Sequence, residues 1–295
     1  MAKQKNYLNC GTSKMKTKTI VITGASRGIG QAIALKFASC RSNIVILTKD
    51  SPATINDVAD QLIEAGGQSL AFPVDVCNHV ELKKAIGEAV ILFGGIDVLI
   101  NNTSATCFTD ILHTSPEQFD SVMSTSVRAA FLLAQLCYPY LHKAPNPHII
   151  NISPPLNMET HWFKNHLAFS LGKYAMSMCT LGMSAEFQKA GIAVNSLWPQ
   201  TTIATQTIKD HFLPKVYKGS RWPSIMADAS YELASGTIQD WTGQFFTDEA
   251  LLRKRGIVDF TSYAVDPNVP LIQPLFIPLE QDMVPISREL FLAAR

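Results

Sequence analysis

Residues Thr19–Thr23 (TIVIT) form a short β-branched run that passes directly into Gly24-Ala25-Ser26-Arg27-Gly28-Ile29-Gly30. Ile29, Ile33 and Phe37 then recur at i+4 spacing. A buried strand, a glycine turn and an amphipathic helix in that order leave few folds open. Gly24 and Gly28 admit backbone conformations closed to residues with a Cβ, and Gly30 lets the helix pack closely on the strand. The helix start then presents unpaired N–H groups and a partial positive charge, suited to a pyrophosphate. A lone glycine triplet says little. Set between a buried strand and a helix, with another strand and helix behind it, the signal is specific.

The alternation continues along the chain. Asn43–Leu47 (NIVIL) reads as the second strand, with Ile55, Val58 and Leu62 at helical spacing after it. Ser69–Val74, Ile96–Ile100, His148–Ile152 and Ile192–Leu197 repeat the pattern. Continuous apolar strand runs are what a parallel sheet covered by helices on both faces requires. Alternating β and α elements allow a doubly wound sheet or a (β/α)8 barrel. The glycine turn after the first strand selects the former, an α/β, Rossmann-type, doubly wound parallel sheet in a single domain. Apolar residues make up 47% and charged residues 17% of the 295 residues, which suits one compact core. With 25 Lys+Arg against 24 Asp+Glu, nucleic acid or an anionic membrane is not expected as the main partner. No apolar run approaches the ~18–20 residues of a membrane span.

The expected boundaries are a basic N-terminal arm over 1–18, the Rossmann-type domain over 19–265 and a proline-rich tail over 266–295. The arm carries Lys3, Lys5, Lys14, Lys16 and Lys18 and no apolar signal segment. Pro267, Pro270, Pro274, Pro278 and Pro285 make helix or central strand improbable in the tail. It is expected to cover a pocket, pack on a neighbouring subunit or strap its own surface. Six scattered cysteines (Cys10, Cys40, Cys77, Cys107, Cys137, Cys179) read as reduced small hydrophobes, which points to a reducing, cytoplasmic setting.

Several motifs carry a family resemblance. Thr23-Gly-x-x-x-Gly28-x-Gly30 is followed by Asp75-Val76 after the third strand and Asn101-Asn102 after the fourth. Ser153 follows the fifth strand, and Lys173 lies on the next helix. The chain resembles the short-chain dehydrogenase/reductase family over about residues 18 to 278. Asn151-Ile-Ser-Pro-Pro-Leu-Asn157, Trp162-Phe-Lys-x-His166 and Leu197-Trp-Pro199 are similar to its hydroxysteroid dehydrogenase-like branch. The resemblance does not extend to the sterol-carrier domain that eukaryotic members of that branch add. It implies cofactor contacts from Gly24, Ser26, Arg27, Gly28, Ile29, Gly30, Lys49, Asp75, Val76, Asn102, Lys173, Pro199 and Thr201. The end of the second strand reads Leu47-Thr48-Lys49, without the carboxylate that would select NAD. Lys49 and Arg27 favour the 2′-phosphate, so NADP(H) is expected over NAD(H), with Asp50 tempering the argument. Thr103 and Ser104 replace the last two residues of the family's Asn-Asn-Ala-Gly turn.

The resemblance implies reversible hydride transfer between nicotinamide and a carbonyl or alcohol carbon. The family uses a tyrosine as acid, a lysine four residues on, a serine on substrate oxygen and an asparagine that anchors a relay water. Here the tyrosine position is Phe169, which has no proton to give, and the asparagine position is Ser126; Ser153 and Lys173 remain. Tyr174, at i+5 from Phe169, faces another side of the helix. Three readings follow: weakened carbonyl reduction, a substitute donor such as His161 or His166, or hydride addition to an activated double bond. Trp162, Phe163 and Trp198 are candidates for an apolar pocket wall or for ordinary core. The expected function is an NADP(H)-binding oxidoreductase acting on a small apolar carbonyl or alcohol with reduced or altered activity. The competing expectation is a catalytically inactive nucleotide-binding or scaffolding protein. The predicted helices Pro116–Leu141 and Trp162–Lys189 are apolar on more than one face, at Phe131, Leu132, Leu133, Leu136, Met176, Met178, Leu181 and Met183. A homodimer or homotetramer is therefore expected.

Overall fold

The structure, a computed structural model, describes residues 17–238, 240–280 and 282–292. Seven parallel strands lie in the order β3-β2-β1-β4-β5-β6-β7. They are β1 (Thr19–Thr23), β2 (Asn43–Thr48), β3 (Gln68–Pro73), β4 (Val98–Asn101), β5 (His148–Asn151), β6 (Ala193–Trp198) and β7 (Phe245–Thr247). Every residue of β1, β4, β5 and β6 is buried, as a sheet covered on both faces demands. β1 pairs with β2 from Thr19 against Asn43 and with β4 from Ile20 against Val98. The strand order therefore reverses at β1 and β4, and a crevice opens there at the carboxyl ends.

The helices between strands are α1 (Gly28–Ser39), α2 (Pro52–Glu64), α3 (His79–Phe93), α4 (Pro116–Met123), α5 (Ala129–Leu141) and α6 (Leu167–Glu186). After β6 come α7 (Gln206–His211), α8 (Pro214–Lys218), α9 (Ser224–Ser235) and, beyond β7, α10 (Asp248–Lys254). Two apolar cores form on the two faces of the sheet, one around Ile22, Ile33 and Phe37 and the other around Val21, Leu82 and Leu133. Behind α1, Lys36 and Asp228 form a buried ion pair at 2.9 Å, and the Tyr263 hydroxyl donates to Asp228 at 2.8 Å. These contacts fix α1 against α9 and so hold the glycine turn from behind.

Several expectations are revised. β7 was not foreseen, because three residues after Gly243 carry no periodic signal. The predicted helix Pro116–Leu141 is α4 and α5 joined by a π-helical turn, Ser124–Arg128, which contains Ser126. The helix predicted from Trp162 begins at Leu167: Thr160–Trp162 is a 3-10 turn, and Asn165 takes a left-handed φ of 71° before His166 at the helix start. Lys18, assigned to the arm, is part-buried and donates to the Ala234 carbonyl at 2.7 Å; Lys3, Lys5, Lys14 and Lys16 lie outside the described residues. Cys77, Cys107, Cys137 and Cys179 are free thiols, whereas Cys40 is disulfide-bonded, against the expectation for it.

The tail is no surface strap. Leu271–Ile272 (β8) and Met283–Val284 (β9) pair as a short parallel ladder, and Ile272 binds back through Gly219 and Thr202. Phe276 is fully buried at a φ of 72°, its ring among Trp162, Phe169, Tyr174 and Trp198. The strain of a phenylalanine in the left-handed region is offset by that burial.

Candidate functional site

The glycine turn is built for close approach. Gly24 has φ +65°, and a Cβ there would lie 2.7 Å from Thr103 Oγ1. A Cβ on Gly30 would lie 2.4 Å from the Gly24 carbonyl oxygen and 2.6 Å from Asn102 Nδ2, so only glycine fits. The turn is clamped to the end of β4. Thr23 Oγ1 accepts from the backbone N–H of Asn102 (2.9 Å) and of Thr103 (3.0 Å). Asn102 Nδ2 donates to the carbonyls of Thr23 (3.0 Å) and Gly24 (3.1 Å). Among the described residues no side chain caps the start of α1, and its first turn carries no acidic residue, which leaves those N–H groups for an anion.

A cavity of about 440 Å³ runs from this turn across the carboxyl ends of the strands. Of the sequence-predicted residues, Gly24, Ser26, Arg27, Gly28, Ile29, Lys49, Asp75, Val76, Asn102, Phe169, Lys173 and Pro199 line it. Gly30, Ser126, Ser153 and Thr201 do not. Gly30 sits behind the turn, where its role is helix packing. Thr201 is fully buried, and its neighbour Thr202 takes the wall position.

At one end Arg27 and Lys49 are exposed cations beside Asp50. The Asp50 carboxylate accepts from the hydroxyls of Ser26 and, at 2.8 Å, Thr48. The Ser26 hydrogen bond chiefly holds its carboxyl below the usual range, with Thr48, Arg27 and Lys49 adding to it. These contacts keep the carboxylate ionised, and the cations Arg27 and Lys49 beside it oppose its charge toward a ligand. Asp75 accepts from the backbone N–H of Cys77 at 2.9 Å, which fixes its carboxylate on the wall.

At the other end the wall is apolar. Phe169 meets Phe108 edge-on with ring centroids 5.2 Å apart, and Phe212, Leu275 and Ile286 complete the enclosure. Lys173 is buried, donates to the Ile152 carbonyl at 2.9 Å and lies 5.3 Å from the Trp198 ring centroid. Burial pushes its pKa down to about 7. Phe108, Thr103 and the tail residues were missed from the sequence; a tail segment gives no local signal that it returns to the site.

Two catalytic expectations need correction. Ser153 Oγ lies 2.5 Å from Ser196 Oγ, whose hydroxyl donates to the Ser153 carbonyl at 2.7 Å. The Ser153 proton is therefore spent on Ser196, and the side chain faces β6 instead of the cavity. Ser126 is buried in the π turn with its Oγ unpartnered among the described residues, facing Gly172 of α6. The substitute donors also lie elsewhere. His161 is exposed beside Glu159 at 3.3 Å. His166 bonds Ser170 Oγ through Nδ1 at 2.9 Å, and burial lowers its pKa. Tyr174 donates to the Asn157 carbonyl at 2.6 Å, and burial raises its pKa to about 12. Trp162 and Phe163 pack in the core, and only Trp198 of the three reaches the cavity.

Sheet order, glycine turn and crevice define a Rossmann-type nucleotide-binding fold. The chain belongs to the short chain dehydrogenase family, whose model matches residues 18–213. It is similar to the proteins called hydroxysteroid dehydrogenase-like protein 2 from Xenopus laevis and Danio rerio, each 45% identical over 272 residues. The match covers 90% of this chain and 65% of each relative, so the chain spans somewhat less than two thirds of their length. A solved putative dehydrogenase from Xanthomonas campestris is 39% identical, with a TM-score of 0.83 over 89% of this chain and 98% of that one. Among the described residues, no helix is long and apolar enough to cross a membrane.

Proposed function

We propose that this chain is an NADP(H)-binding oxidoreductase that acts on a small, apolar carbonyl compound or the matching alcohol. The observation that carries the reading is the single cavity joining the glycine cradle and its flanking cations to an apolar chamber around Phe169 and Lys173. The cradle fits a dinucleotide: Gly24 and Gly28 take left-handed backbone at the cavity wall, Gly30 lets α1 pack closely behind them, and the start of α1 has uncapped N–H groups. Gly24, Ser26, Arg27 and Gly28 would hold the phosphates, with Lys49 and Arg27 at the 2′-phosphate and Asp75 at the adenine amino group. Lys173 and Pro199 would border the nicotinamide end. When bound, the nicotinamide supplies or accepts a hydride.

The chain's own part is binding, orientation and exclusion of water. Phe108, Phe169 and Phe212 wall the chamber with aromatic surface, which disfavours a charged substrate there. Phe169 has no hydroxyl, and Ser153 and Ser126 do not reach the cavity, so the activity is weakened or altered relative to a tyrosine-bearing member. Phe131, Met178 and Leu181 are exposed on α5 and α6, and they support pairing of these helices with a second copy. Among the described residues four thiols are free, which supports a cytoplasmic setting, whereas the disulfide at Cys40 counts against it. NADPH oxidation in the presence of apolar aldehydes and ketones tests the function. Tight NADPH binding with no turnover of any of them would favour a nucleotide-binding role without catalysis.

A further inference from the structure

Carbonyl reduction needs a proton on the substrate oxygen, and Phe169 cannot give one. The cavity wall carries five side chains with a titratable proton or cation: Arg27, Lys49, Asp50, Asp75 and Lys173. The first four gather at the glycine turn and the ends of β2 and β3. Lys173 alone stands beside Phe169, one turn further along α6. The other candidates, Ser153, His161, His166 and Tyr174, are all turned to other partners, as described above.

We infer that Lys173 itself delivers the proton to the substrate oxygen in this chain. This rests on the function proposed above and deepens it. One Nζ–H is held by the Ile152 carbonyl at 2.9 Å; among the described residues the other two have no hydrogen-bond acceptor, only the Trp198 ring nearby. Among the described residues no counterion faces the amine from the packed elements. On α4, Glu117 and Asp120 are exposed; Arg128 of the π turn donates to the Cys77 carbonyl; His148 of β5 bonds the Gly236 carbonyl; Glu186 is exposed at the far end of α6. β6 carries no charged residue, and α5 none either. Burial without a counterion brings the ammonium close to neutral in pKa, where a general acid is most effective. The wall hydroxyls of Ser104, Ser121 and Thr125 are alcohols, far weaker acids.

The step balances. The carbonyl carbon takes a hydride from the reduced nicotinamide, and the carbonyl π pair moves onto oxygen. That oxygen forms its O–H bond as one N–H bond of Lys173 breaks. The products are the alcohol, the oxidised nicotinamide and a neutral amine, which water reprotonates.

The test compares wild type, Lys173→Arg, Lys173→Met, Phe169→Tyr and Phe169→Tyr/Lys173→Arg. NADPH affinity is read by fluorescence, and kcat against pH is read with benzaldehyde and decanal. Arginine keeps the cation but does not give up its proton. Lys173→Arg should keep a measurable NADPH affinity, read separately by fluorescence, while kcat at saturating NADPH falls by about 10²-fold or more. Wild-type kcat should fall as pH rises through the titration of Lys173. Adding Phe169→Tyr to Lys173→Arg should recover about 10-fold or more, because the phenol then supplies the proton. A residue that only held the ribose or the fold would give no such recovery. Wild-type kcat in Lys173→Arg would overturn the inference while leaving the proposed function standing. If the substitutions at 173 fail to fold, a pH-independent wild-type kcat overturns it equally. If wild type binds NADPH and reduces neither aldehyde, the proposed function fails for these substrates, and the inference falls with it.

Discussion

Lys173→Met should make the protein more stable at neutral pH, although it removes a buried hydrogen bond. The Lys173 ammonium is almost fully buried without a counterion, and it titrates at about 7 in place of about 10.5. That displacement corresponds to an ammonium destabilised by up to about 5 kcal/mol, at ~1.4 kcal/mol per pH unit. The sign follows from proton counting. Below pH 7 both folded and unfolded chains hold the proton, and the whole penalty weighs on the fold. Between pH 7 and about 10.5 the unfolded chain holds it and the folded one does not, so stability rises with pH. Above that range the penalty is gone. Methionine carries no charge but leaves the Ile152 carbonyl without its donor, a loss of about 1–3 kcal/mol. The variant should therefore be more stable than wild type by a few kcal/mol near pH 6. The advantage should shrink at ~1.4 kcal/mol per pH unit above pH 7 and reverse between about pH 8 and 10. Urea unfolding of both proteins across this range gives the difference directly, since other titrating groups cancel. Parallel curves would refute the reasoning, because they would mean that Lys173 keeps an ordinary pKa in the fold.

Binding of NADPH should draw a proton onto Lys173 near pH 8, since the ligand's negative charge raises the lysine pKa; calorimetry in buffers of different ionisation enthalpy measures that uptake. Gly30→Ala should abolish dinucleotide binding while the protein stays folded, because its Cβ would meet the Gly24 carbonyl at 2.4 Å; unchanged affinity by fluorescence titration would count against the cradle. Lys49→Glu should weaken NADPH roughly 10-fold and NADH much less, an exposed charge reversal being modest and salt-dependent. Phe276→Ala should cost about 3–5 kcal/mol in denaturant unfolding, as it empties an aromatic cluster; a loss below ~1 kcal/mol would show that the tail is peripheral.

The first six strands were legible because a sheet buried on both faces writes itself as unbroken β-branched runs. The glycine turn was legible because its chemistry is local to seven residues. Phe169 could be read for the same reason, as a position fixed by its spacing to Lys173. Ser153 was not, because the partner of a residue just past a strand end depends on what stands across from it. Here that is Ser196 on β6, 43 residues away in sequence. The tail misled for a related reason. Its prolines forbid regular structure, but they say nothing about whether one aromatic side chain returns to the core. Phe276 does, and Leu275 beside it faces the cavity. The π turn at Ser126 lies within an apolar helical pattern that a one-residue bulge barely disturbs.

Calorimetric titration of the purified chain with NADPH and, separately, with NADH tests the central claim most directly. The cradle formed by Gly24 and Gly28, backed by Gly30 and with Arg27 and Lys49 at its rim, predicts one site per chain for NADPH and weaker binding of NADH. The difference should narrow as salt is raised. Absence of binding by either dinucleotide, or tighter binding of NADH, would contradict it.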